Sequence, residues 1–491
     1  MKGSNTLMRS SDVERMALKE SRRTHARLVQ RPIEDRSSAP GLFPRRMTPE
    51  LWLVLFYVVS ATIGDLQVAK FNIHVGPVPL FYTDLTLLLL MILSFLRSPA
   101  RVLYWITIGT GAGPIGRAAW IFCFIGVVYC ALSISQYHLA ALQDLAIFGY
   151  SLFFPLTYFA IRDRRDARTL MRSFVYAGVA LALLVMLQYV IGGVKGHASM
   201  VDGIEPSVYG QRLAEESHSF LGSAILQFRN QDDAASAIFA LAALVAYIVL
   251  ERKWRGLHVL CAAVCFGALT VSTSRATVVG LALAAAFTFI CLGRRYRLRY
   301  ALCVAMCGAG LVGSAFLPDR TPGADLMRGL RVAVSSALGG PAVDSNADFR
   351  LKRWRYSANV WLEHPLLGEG FGRPIIPAGL IDAAENKGDY NAGMPHNTFL
   401  FVAVRTGLLG LGVVLFCWAQ VIKQLFSKFI RVGAADELAA INVLVAMFGF
   451  AAFVLFFERP VTNAGFWIVA AIGAHLAQYQ KPEVVSIRPV T

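Results

Sequence analysis

Charge is scarce in this sequence. Only 16% of its 491 residues are Asp, Glu, Lys or Arg, where an ordinary soluble domain carries roughly a quarter. So few charges cannot clothe a water-exposed surface of this length, which excludes a soluble globular protein. Cysteine is confined as well: the eight, at 123, 130, 261, 265, 291, 303, 307 and 417, all fall in apolar runs, so no disulfide framework is implied. Cys261 and Cys265 share a helical face, as do Cys303 and Cys307. Neither pair has a His or carboxylate beside it, so these thiols read as small packing residues and no metal site is expected. The polar segments hold no clustered carboxylates of the kind a Mg²⁺ site needs, although scattered ones (Asp344, Asp348, Glu369, Asp389) leave that alternative open. The net charge of +16 is not carried by any basic, aromatic-interleaved soluble domain, and nucleic acid is not an expected partner. Residues 1–49 are polar and basic without the apolar run of a cleavable signal peptide, and are expected to form a cytoplasmic tail.

What the chain has in abundance is apolar length: 56% of residues are hydrophobic and the mean hydropathy is +0.53. Measured against the roughly twenty residues needed to cross a bilayer, the runs predict twelve spans, at 50–66, 79–97, 117–135, 140–161, 173–193, 232–250, 256–273, 275–293, 299–317, 397–420, 438–457 and 460–479. The basic runs Arg162 to Arg165, Arg252 to Arg255 and Arg294 to Arg299 follow spans 4, 6 and 8, and Lys423, Lys428 and Arg431 follow span 10. Under the positive-inside rule these are cytoplasmic. The expected fold is an all-α polytopic membrane protein, with an integral domain over 50–479, a short C-terminal tail over 480–491 and both termini cytoplasmic. Between spans 1 and 2, the stretch from Asp65 to Pro79 reads as a short outer re-entry in which Pro77 and Pro79 interrupt a helix.

A polar insert of about eighty residues in such a chain cannot lie in lipid, where its backbone groups would go unpaired. The segment 318–396, between spans 9 and 10, is therefore expected to be a folded periplasmic loop and the place for chemistry. Within it, Leu326, Leu330 and Val334 predict an amphipathic helix over Asp325 to Leu338, and a second helix is expected over Phe349 to Glu363, capped by Asn346 or Asp348. On that second helix Leu351, Trp354, Arg355, Ala358, Trp361 and Leu362 share one face, and Arg350, Arg353 and Ser357 another. Residues 195–230 show no clear period.

Two residues stand out against their surroundings. Arg275 interrupts an apolar run at the outer turn between spans 7 and 8, where it breaks the positive-inside pattern. It either snorkels to headgroups or, with five donors on a planar guanidinium, binds a phosphate or diphosphate. His396 lies where the loop meets span 10, flanked by Pro395 and Asn397. It is either a headgroup-level histidine or a general base, the role for which imidazole is suited near neutral pH. His364, before Pro365, reads as helix-ending. Gly368-Glu369-Gly370-Phe371-Gly372 reads as a sharp turn rather than a dinucleotide fingerprint, because it follows a helix.

These pieces occur in a telling order. Ser274-Arg275 at an outer turn is followed by Arg350-x-x-x-Trp354-Arg355, then by His364-Pro365-Leu366-Leu367-Gly368-x-Gly370-Phe371-Gly372. His396-Asn397-x-x-Leu400 and Gly407-Leu408-Leu409-Gly410-Leu411 close the series. The set resembles the O-antigen ligase and O-antigen polymerase superfamily over roughly residues 220–425. The resemblance implies a metal-independent, inverting glycosyltransferase without cofactor in the bacterial inner membrane. Its donor would be an undecaprenyl-diphosphate-linked glycan. Its acceptor would be lipid A-core in a ligase or a second lipid-linked glycan in a polymerase. By position, Arg275 and Arg350 would contact the diphosphate and His396 would be the base, with Arg353, Arg355, Asn397 and Glu369 as secondary candidates. Arg405 departs from the pattern, standing where many members have an acidic residue, and Phe228 to Asp232 match the usual motif before span 6 only loosely. The rival classes are a transporter or flippase of lipid-linked glycans, for which no internal repeat is seen, and a non-catalytic scaffold for polysaccharide export.

Overall fold

The computed structural model describes residues 47–70, 72–75, 78–100, 102, 113–191, 235–272, 275–314, 345–377, 393–454, 456–457 and 459–478. The basic tail to residue 46, the segment 195–230, the expected Asp325 to Leu338 helix and the tail from 480 lie outside them.

The described chain is mostly helical. In order it forms α1 (Pro49–Lys70), a two-stranded ribbon of β1 (Asn72–Val75) and β2 (Val78–Phe81), α2 (Tyr82–Arg97), α3 (Gly113–Gly149), α4 (Phe153–Ala160), α5 (Arg164–Ile191), α6 (Ala235–Leu250), α7 (Arg255–Ser272), α8 (Arg275–Cys291), α9 (Arg294–Ser314), α10 (Ser345–Glu363), α11 (Thr398–Val432), α12 (Ala435–Ala451) and α13 (Pro460–Ala477). Among the described residues, four stretches are long and apolar enough to cross a membrane: Gly113–Ala160, Arg164–Leu187, Thr398–Val432 and Pro460–Ala477. Shorter apolar helices pack among them, so this is a helical membrane protein, with the twelve-span layout remaining an expectation. The ribbon corrects the all-α expectation within the re-entry expected over 65–79, where the helix runs on to Lys70 and two strands follow. Pro79 does not merely break a helix; it pairs with His74 in an antiparallel register.

Two of the long helices are folded back on themselves. In α3 the break is His138, at φ 45° and ψ −117°; beyond it, Phe148 reaches a position where a Cβ on Gly126 would lie 2.5 Å from its own, and Ser151 donates to the Ala119 carbonyl. The break falls in the gap expected between spans 3 and 4. In α11 it is Gly407, at φ 63° and ψ −160°. The rings of Phe399 and Trp418 come within 6.0 Å, although nineteen residues of unbroken helix would set them about 28 Å apart. The expected single span over 397–420 is therefore corrected. A short helix from Thr398 to Thr406 rises to Gly407, and the long arm descends from there to Val432.

Interhelical hydrogen bonds and close approaches hold the bundle, as expected where apolar burial gives no preference for protein over lipid. Asn442 donates to the Ala242 carbonyl at 2.9 Å and accepts from Thr288. Asn463 donates to the carbonyls of Ile147 and Phe457. At one end, Arg164 meets Glu437, while Arg168 and Arg172 meet Asp436 and Arg172 also meets Glu251. Burial raises the Glu251 carboxyl above its ordinary value, against the opposing pull of Arg172. The basic runs expected to be cytoplasmic flank this end. The polar loop occupies the other, called here the loop end.

α8 and α12 cross antiparallel through two glycines. A Cβ on Gly280 would lie 2.5 Å from the Ala446 carbonyl oxygen, and one on Gly449 would lie 2.8 Å from the Gly280 Cα. With no flexible side chain there to give way, Gly280→Leu should separate the helices. Overpacking of this kind typically costs about 1–3 kcal/mol. A drop of several degrees in the thermal midpoint of purified protein is expected, whereas Gly308→Leu, with open space around its Cα, should leave the midpoint in place.

Candidate active site

At the loop end the chain after α10 is stitched to the fold in α11. α10 stops at His364-Pro365, since proline disfavours helix at the residue before it. Gly368, Gly370 and Gly372 then adopt positive φ values of 72°, 87° and 79°, a conformation that disfavours side-chain-bearing residues. Gly407 opens the helical ladder of α11. This frees the Val404 and Arg405 carbonyls to accept from the Glu369 and Gly370 amides, and the Leu408 and Leu409 amides to donate to the Pro365 and Leu366 carbonyls. The approach is so close that a Cβ on Gly407 would lie 2.2 Å from the Leu366 carbonyl oxygen. The expected sharp turn is thus a backbone-to-backbone clamp.

A buried ion pair locks the clamp from below. Arg405 Nε lies 3.1 Å from Asp144 Oδ2, with both side chains at most 2% exposed. Arg405 Nη1 donates to the Arg373 carbonyl at 2.6 Å and approaches the Gly370 carbonyl at 3.3 Å. Asp144 in turn accepts the Gly372 amide at 2.6 Å. One carboxylate on the folded α3 and one guanidinium on the short arm of α11 therefore satisfy three backbone groups of the glycine turn.

Beside the clamp, α10 meets the segment that precedes α11. The helix begins at Ser345, so Asn346 and Asp348 lie within its first turn and do not precede it as caps. It turns its polar face inward: Arg353 is 1% exposed and Ser357 is buried, while Leu362 on the other face is 64% exposed. Arg353 Nη1 lies 3.4 Å from the Met394 carbonyl. Arg350 Nη1 donates to the Phe453 carbonyl at 3.0 Å, in the turn between α12 and α13. Thr398 ties that same turn to α11, donating to the Val454 carbonyl and accepting the amides of Phe456 and Phe457. Arg353 therefore borders the segment from Met394 to Thr398, and Arg350 borders the turn that Thr398 holds.

His396 is half-buried in this segment at φ 51°, one of two non-glycine residues with positive φ among those described. A residue held in that region stores strain of order 1–3 kcal/mol and persists because its surroundings over-determine it, a feature that gathers at functional sites. Asn397 follows as N-cap of α11, its Oδ1 accepting the Leu400 amide at 3.0 Å. His396 thus lies at a helix N-terminus, where amide dipoles favour anions.

The remaining candidates fall variously. Arg275 opens α8, and the antiparallel register with α12 sets that end toward Ala451 and the turn that Arg350 grips; its side chain is outside the described set. Arg355 is exposed on the outer face of α10. Glu369 is buried in the glycine turn: its side chain is 5% exposed and pairs with Arg373, with His364 Nε2 at 3.6 Å. Sequence reading overlooked Asp144 and Thr398, and gave Ser357 a face but no role. Asp144 did leave a signal: an ionisable residue within an apolar span has a partner or a function by default.

Fold and site together define a class: a polytopic helical membrane protein that gathers two loop arginines, a strained histidine and a helix N-terminus at one end of its bundle. Within that class, a family model described as O-antigen ligase matches residues 260–415, a stretch that runs from α7 past Gly407 and contains Arg275, Arg350 and His396. Over those residues the chain is similar to the O-antigen ligase family. That match supports a function of the O-antigen ligase or polymerase type and a glycosyltransferase-like activity. No curated protein matches the chain.

Proposed function

We propose that the protein transfers an oligo- or polysaccharide from undecaprenyl diphosphate to an acceptor hydroxyl at the periplasmic face of the bacterial inner membrane, as an O-antigen ligase. The observation that carries this reading is the inward polar face of α10, which sets Arg353 against the segment holding His396 and Arg350 against the adjoining turn at Phe453. In the reaction the acceptor oxygen attacks the anomeric carbon as the bond to the diphosphate breaks. His396 takes the acceptor proton, and attack from the face opposite the leaving group inverts the centre. Negative charge grows on the departing diphosphate, so Arg350 and Arg275 stabilise the transition state more than the ground state. A repeat-unit polymerase runs the same chemistry and differs only in using a second lipid-linked glycan as acceptor.

Loss of one such donor in other enzymes typically costs about 2.7–4 kcal/mol, or 10²–10³ in rate. Arg350→Ala and Arg275→Ala are each expected to lower turnover by that order in purified protein supplied with lipid-diphosphate glycan and acceptor, without a membrane gradient. Transfer without a gradient separates an enzyme from a transporter. If wild type shows no transfer, or if both variants keep full activity, the reading is wrong. In a strain lacking the protein, a ligase leaves full-length polymers on the carrier lipid and a polymerase leaves single repeat units.

A further inference from the structure

The inward face of α10 holds two polar groups that the mechanism leaves unused. Trp354, expected on the opposite face, belongs with the inward one: positions 350, 353, 354 and 357 follow the i, i+3, i+4, i+7 spacing that places four side chains on one side of a helix, and the Trp354 ring packs on Phe453. Ser357 lies in the middle of that set and is fully buried, and its hydroxyl has no hydrogen-bond partner among the described residues. The Trp354 indole Nε1 is likewise buried without a partner among them, although its ring packs on Phe453 at 5.7 Å. A buried polar group left unmade destabilises a fold, and native proteins keep few of them. Two on one helix face, each within a turn of Arg350 and Arg353, call for a ligand.

The chemistry of the face selects that ligand. Indole N–H and guanidinium groups only donate hydrogen bonds, and a hydroxyl does so readily. None of the four side chains is a carboxylate. A face of donors fits a partner made of acceptor oxygens, and an anionic one is favoured by the guanidiniums.

We propose that the Ser357 hydroxyl and the Trp354 indole N–H donate hydrogen bonds to the diphosphate of the lipid carrier, completing a socket with Arg350 and Arg353. This rests on the transfer reading given above and deepens it, because it assigns leaving-group recognition to a whole face of α10. It also accounts for tryptophan at position 354: its ring anchors the helix to Phe453 while its N–H serves the ligand.

The test uses full-length protein in nanodiscs, with undecaprenyl diphosphate and undecaprenyl monophosphate as probes. Ser357→Ala and Trp354→Phe each remove one donor and keep most of the packing. Hydrogen bonds to charged groups are worth enough that each variant should lose about tenfold in affinity for the diphosphate. The preference for diphosphate over monophosphate should shrink with it. Thermal stability should move the other way or not at all, since Ser357→Ala removes a buried group that has nothing to bond in the empty protein. Unchanged affinity in both variants overturns the proposal and leaves the transfer reading intact. A loss of affinity matched by a fall in thermal midpoint also overturns it, by showing a structural role. Failure of wild type to bind either lipid overturns the transfer reading itself.

Discussion

Replacing His396 by asparagine should abolish glycan transfer while leaving the protein folded and able to bind its lipid donor. The reason lies in the backbone as much as in the ring. At φ 51° most side chains are strained, but asparagine tolerates the left-handed region, so His396→Asn keeps the backbone geometry while removing the imidazole. General-base catalysis contributes typically 10²–10⁴-fold, and the loss should appear in kcat rather than in donor affinity. His396→Gly extends the argument. Glycine relieves the strain, worth of order 1–3 kcal/mol, so this variant should be at least as stable as wild type and equally inactive. Stability gained with activity lost is the signature of a position held for chemistry. Turnover of His396→Asn within a few fold of wild type would remove the histidine from the mechanism. A fall in thermal midpoint for His396→Gly would show that the ring is there for packing.

The parts of this architecture legible in sequence are those written in local pattern. Apolar runs announced the helices because burial in lipid demands about twenty consecutive apolar residues. The break between the third and fourth expected spans appeared as a change in composition, and it falls at His138. Gly368, Gly370 and Gly372 pointed to a turn because only glycine adopts such backbone freely. The rest depended on contacts between distant segments. Nothing in the apolar run after Asn397 marked Gly407 as a reversal, since a glycine in a membrane helix is ordinary and the fold-back is fixed by Leu366 meeting Gly407 and Phe399 packing on Trp418. The inward face of α10 was illegible for a related reason. Periodicity separated Arg350, Arg353 and Ser357 from the leucines, but which face turns toward the bundle is decided by what waits there, namely the Met394 and Phe453 carbonyls.

The largest structural effect is expected from the Asp144 and Arg405 pair. Removing one member, as in Asp144→Ala, strands a buried guanidinium and also frees the Gly372 amide. Breaking buried pairs this way typically costs about 3–5 kcal/mol, a large part of the stability of any domain, so poor yield and a sharply lower thermal midpoint should follow from either Asp144→Ala or Arg405→Ala. Those single variants alone cannot say whether the pair serves stability or geometry, because an unfolded enzyme is inactive for trivial reasons. The double variant Asp144→Leu, Arg405→Met separates the two. Apolar replacement of a whole buried pair is often neutral or stabilising, so much of the thermal stability should return. The bonds to the Gly370 and Arg373 carbonyls and the Gly372 amide do not return. The glycine turn then loses its register on α3, and with it the short arm of α11 that begins beside His396. A misplacement of about 1 Å far from the reacting atoms is enough to cost 10²-fold in rate. The double variant should therefore melt near wild type and turn over at about a hundredth of its rate; recovery of full turnover along with stability would reduce the pair to a fold-stabilising contact.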